Sequence, residues 1–80
     1  MPIAADELQR VVEDAVRMYH FTPRQHDLLL ALVAGQTSTP AIAEHLGIAE
    51  QTVKNHLKPM LLKTGTTDRT ALVVRVLCGR

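Results

Sequence analysis

The eighty-residue sequence has no tryptophan, one tyrosine, one phenylalanine and one cysteine. With so few rings, a core must be assembled from Leu, Val, Ile, Ala and Met, which is the material of a helical bundle and not of a sandwich. The lone Cys78 can form no internal disulfide and supplies no half of a cysteine-based zinc site, so a reducing compartment, the cytoplasm, is the expected location. Hydrophobic residues make up 46% of the chain but collect in no long run near its start. Asp6, Glu7, Glu13 and Asp14 interrupt the first twenty residues, which read neither as a signal peptide nor as a membrane span. A glycine-rich phosphate loop and a nucleophile elbow are also missing, and there are no paired carboxylates outside the first helix, so no catalytic residue and no enzyme activity are expected. His20, His26, His45 and His56 never fall at i, i+4, and neither a metal nor a cofactor is expected; His26-Asp27 reads as helix surface.

Charge is unevenly placed. Residues 1–20 hold two arginines against four acids, a net of −2, while residues 21–80 hold seven basic against four acidic residues, a net of +3. Between Gln51 and Thr67 there is no acid at all, and Lys54, Lys58, Lys63 and His56 lie inside that stretch. A positive patch on one element is what a polyanion would meet, although a solvated lysine face is its bland counterpart.

Eighty residues allow one domain, which buries only roughly 60 to 65% of its unfolded surface. Its helices are readable from spacing and punctuation. Leu8, Val11, Val12, Ala15, Val16 and Tyr19 recur at three- and four-residue intervals and predict an amphipathic helix over Ala5 to Tyr19. Thr22-Pro23-Arg24-Gln25 combines an N-cap hydroxyl, a proline at the first helical position and a capping-box glutamine, opening a helix from Pro23 to Ala34 before Gly35. Ser38 or Thr39 caps a short helix through Leu46, ended by Gly47. A fourth helix starts near Ala49 or Glu50 and runs to Thr64 with Gly65 as terminator; Val53, Leu57, Met60, Leu61 and Thr64 share one face, and Gln51, Asn55, Lys58 and Leu62 mark the other. Pro59 lies inside this helix, yet the residues beyond it stay in phase, which predicts one helix bent between Asn55 and Pro59. Thr67 or Asp68 caps a last helix through about Leu77 whose centre is apolar nearly all round, so it needs cover on two sides.

A short helix, a glycine-containing turn, and a longer helix that is apolar on one side and basic on the other form a helix-turn-helix arrangement. The longer helix fits a major groove roughly 12 Å wide, where lysine reaches phosphate or guanine and asparagine reaches adenine. The stretches FTPRQHDLLLALVAG, IAEHLGI, EQTVKNHLKPML, KTG and DRTALV resemble the LuxR/GerE/FixJ-type DNA-binding domain of bacterial response regulators and quorum-sensing regulators, over Thr22 to Val73. The resemblance implies an all-α fold: a four-helix helix-turn-helix domain over residues 21–80, preceded by a linker-like amphipathic helix over residues 1–20. It also implies a transcription regulator that binds double-stranded DNA as a homodimer, with RNA polymerase and a receiver or ligand-binding domain as further partners and no membrane partner. By the same resemblance Lys54, Asn55 and Lys58 face bases, Thr52, Lys63, Ser38 and Thr39 contact phosphate, and Val73, Val74, Val76 and Leu77 form the dimer interface. The chain departs from the family pattern at Gln25 (usually Glu), in one extra residue between Gly35 and Ile42, at Ala49 (usually Ser or Thr), at Leu62 (usually basic) and at Pro59. A protein-interaction module that has kept this fold but weakened its DNA binding, and that pairs with another regulator, is the alternative.

Overall fold

The computed structural model describes residues 5–36 and 38–78. Five helices follow one another, and no strand occurs among the described residues: α1 (Ala5–Tyr19), α2 (Pro23–Val33), α3 (Thr39–Leu46), α4 (Glu50–Thr64) and α5 (Arg69–Cys78). The all-α expectation holds, and each helix lies within a residue or two of its sequence-predicted bounds.

Local chemistry accounts for the boundaries. Thr22 Oγ1 accepts from the Gln25 amide at 3.2 Å while Gln25 Oε1 accepts from the Thr22 amide at 2.9 Å, a reciprocal capping box ahead of Pro23. Of the two candidate caps for α3, Ser38 performs the task, its Oγ accepting from the Ala41 amide at 3.2 Å. Asp68, not Thr67, caps α5 by accepting from the Ala71 amide at 2.8 Å. Among the helix starts within the described residues, that of α4 lacks a side-chain cap: Ala49 is extended (φ −71, ψ 152) and makes no side-chain bond.

The first four helices all end in one motif. Phe21, Gln36, Ile48 and Thr66 each donate their amide to the carbonyl five residues back, Val16, Ala31, Ala43 and Leu61, at 3.0 to 3.1 Å. The residue before each donor is left-handed, and at three of the four positions it is glycine; at the end of α1 it is His20, with φ 58.

All five helices meet in one core, whose fully buried side chains include Val12 of α1, Leu28 and Leu29 of α2, Ile42 of α3, Val53 and Met60 of α4 and Leu72 of α5. The helix expected as a linker-like addition shares this core, because its apolar stripe packs on α2 and α5 and sinks Val12 and Ala15 between them. Helix α4 runs through Pro59 without a break, and Met60 and Thr64 beyond it remain buried in register with Val53. Burying those two side chains opposes the local preference of proline to stop a helix. No helix is long and apolar enough to cross a membrane, among the described residues.

Candidate nucleic-acid interface

The turn between α3 and α4 fixes the mutual angle of those helices. Gly47 takes φ 69 and ψ 35, and the Ile48 amide returns to the Ala43 carbonyl at 3.0 Å, so the chain reverses within three residues. Ile42 and Ala43 on α3 then bury against Val53 on α4 within the common core. The brace leaves the opposite face of α4 in solvent.

Gln51, Lys54, Asn55, Lys58 and Leu62 are all exposed there. Their spacing lays them along one stripe of a helix about 22 Å long at 1.5 Å per residue. Gln51 Nε2 donates to Asn55 Oδ1 at 3.0 Å one turn away, which orients the asparagine amide on the stripe. Leu62, 74% exposed, extends the stripe by a further turn with an apolar side chain. Among the described residues neither Lys54 nor Lys58 takes part in an ion pair, so both charges are unneutralised by the protein. On α1, by contrast, Asp14 is paired with Arg17.

The residues expected at phosphate are more scattered. Thr52 is half-buried on the flank of α4. Ser38 is exposed, its Oγ engaged in capping α3. Thr39 Oγ1 accepts from Arg69 Nη1 at 3.0 Å, tying the start of α3 to the start of α5 across thirty residues of sequence. Lys63 lies five residues from Lys58, roughly 140° around the helix. Its Nζ donates to the His20 carbonyl at 2.9 Å, lies 3.4 Å from Gln25 Oε1, and sits 5.7 Å from the centre of the Phe21 ring.

On α5 the four residues expected at a dimer interface divide by burial. Val76 is buried and belongs to the protein's own core; Val73 and Leu77 are half-buried; Val74 is 55% exposed. Val74 stands with Ala71 and Cys78 on a shallow concavity that reaches Thr66 and Thr67.

One polar residue of this region, Arg69, was not singled out from the sequence. The bond between Gln51 and Asn55 has a local signal, their four-residue spacing. Nothing local carries the Arg69 to Thr39 bond, which needs the folded chain.

Comparison with known proteins agrees with this geometry. The family of bacterial regulatory proteins designated the luxR family matches residues 19–76, from the last residue of α1 to near the end of α5. The chain is also 39% identical over 57 residues to proteins named "Probable transcriptional regulatory protein NarL" from two Mycobacterium tuberculosis strains, CDC 1551 / Oshkosh and H37Rv. Those alignments take in 71% of this chain, which spans about a quarter of the length of these relatives, 26%. No solved structure matches. A match to the family over residues 19–76, on a braced helix pair whose longer helix has a cationic outer face, makes this chain a member of the luxR family of bacterial regulatory proteins, carrying its helix-turn-helix DNA-binding domain.

Proposed function

We propose that the chain binds double-stranded DNA sequence-specifically as part of a cytoplasmic transcription regulator, with α4 in the major groove. The observation that carries this reading is the exposed stripe of Lys54, Asn55 and Lys58, its two lysines in no ion pair among the described residues, on the face of α4 opposite buried Val53, Met60 and Thr64. Asn55 and Lys58 offer donors to base edges, Lys54 reaches a base or the adjoining phosphate, and Thr52 and the start of α3 around Ser38 line the backbone. A second copy joins through the exposed side of α5, so that two α4 helices address successive half-sites about 34 Å apart.

Selection of bound duplexes from a random pool, followed by titration against salt, tests the proposal. A selected sequence should emerge, and log K should fall linearly with log salt, by about 0.9 per phosphate neutralised. Asn55→Ala and Lys58→Ala should each cost about 1–3 kcal/mol on the selected duplex and far less on random DNA. Equal losses on both duplexes would remove direct base readout from these residues.

One observation favours a second reading: the exposed Leu62 places an apolar side chain on a face otherwise suited to a polyanion. On that reading the fold is a protein-interaction module paired with another regulator, and the salt titration gives no duplex binding.

A further inference from the structure

Lys63 sits within the basic stretch of the sequence and is exposed on α4, but its ammonium is engaged by another part of the molecule. Three partners converge on its ammonium: the His20 carbonyl, the Oε1 of Gln25, and the face of Phe21. All three belong to the corner where α1 ends and α2 begins. The corner is firmly built. Gln25 is buried and uses the same oxygen in the capping box with Thr22; Phe21 is buried and stacks on Tyr19 with ring centres 5.7 Å apart; the Phe21 amide closes α1 on Val16. The left-handed His20 ends the helix there, and its carbonyl is the acceptor closest to the ammonium.

We infer that Lys63 is a positioning residue for DNA reading and not a phosphate contact: its ammonium clasps the last turn of α4 to the α1–α2 corner. This rests on the proposed reading of α4 as the recognition helix, to which it adds how that helix is held. The N-terminal end of α4 is held by α3, its middle by the core, and its C-terminal turn by this clasp. A load applied to α1 therefore reaches the reading helix directly, through an ammonium bonded to the end of α1.

The two roles for Lys63 give opposite results in the full eighty-residue chain. As a positioning residue, Lys63→Met should lower the unfolding midpoint and weaken the selected duplex about tenfold, with random duplex changed less than about twofold and the salt slope that of the parent. As a phosphate contact it would weaken both duplexes alike and reduce the slope by about 0.9, with the midpoint unmoved. Gln25→Glu provides an independent arm. In the clasp it keeps the capping box, adds a charged partner for Lys63 and should raise the midpoint by roughly 2–4 °C without weakening the selected duplex. With Lys63 at phosphate, the new carboxylate would draw the ammonium away and weaken all duplexes. Combining the two substitutions should reverse the gain of Gln25→Glu, because the carboxylate is then buried with no cation; additive effects would overturn the clasp. Should Lys63→Met fail to fold, the Gln25→Glu arm decides alone. If the parent binds no duplex, the DNA-binding reading fails, and the thermal coupling between positions 25 and 63 still judges the clasp.

Discussion

At the scale of single residues, His20 is where a local rule is set aside. The other three helices that end in the same motif place glycine at the left-handed position, and α1 places a β-carbon there. Left-handed backbone costs a non-glycine residue roughly 1–2 kcal/mol, while glycine loses roughly 0.5–1 kcal/mol more backbone freedom on folding. His20→Gly should therefore stabilise the chain by about 0.5 kcal/mol, read as a higher midpoint in urea or heat. Because Lys63 bonds the main-chain carbonyl, the substitution leaves the clasp in place, and DNA affinity should be unchanged. A destabilised variant would mean that the imidazole itself holds the corner together. At Gln25, too, the residue matters through more than one contact: one oxygen serves the Thr22 amide and the Lys63 ammonium together.

Among the elements, α4 has the weakest local support and the most tertiary support. It opens on Ala49, which cannot cap, and it contains Pro59, which deprives the Asn55 carbonyl of its helical donor. What holds it is the burial of Val53, Met60 and Thr64, the last of which also donates its hydroxyl to the Met60 carbonyl at 2.9 Å. A proline in a helix interior costs roughly 3 kcal/mol, part of which a bend relieves. Pro59→Ala should accordingly raise stability by about 1 kcal/mol or more, by restoring the helical donor to the Asn55 carbonyl. Thermal unfolding checks this. A duplex titration on the same variant reports whether Lys58, the residue next to the proline, has been re-aimed. A less stable alanine variant would show that the native backbone of α4 needs proline at this position.

At the scale of the whole molecule, the core draws on all five helices, and the large apolar side chains left exposed among the described residues are Met18, Leu62 and Val74. On α5 the surplus that suggested an interface has mostly been used: Val76 is inside, Val73 and Leu77 are half covered, and Val74 is the residue offered to solvent. Light scattering on Val74→Asp should show loss of self-association with the unfolding midpoint nearly unchanged, since an exposed position carries little folding energy. Persistent association would move the interface to another helix, with α1 first in line. The sequence by itself determined what short-range chemistry decides: the helices, the Thr22 capping box, the glycine ends, and the motif that carries the family likeness, with the caps of α3 and α5 narrowed to two neighbouring residues each. Each of these depends on hydrogen bonds or side-chain spacings within about five residues, a range over which the local pattern is decisive. Four features were left to the tertiary structure. One is the burial of the first helix in the common core. Another is the inward turn of Val76 while Val74 faces out, which an almost uniformly apolar helix cannot specify. The last two are the tie of Thr39 to Arg69 and the engagement of Lys63 by a carbonyl 43 residues away. A lysine in a basic stretch has the same local surroundings whether it faces phosphate or another part of its own chain; only packing between distant segments brings an acceptor to its ammonium.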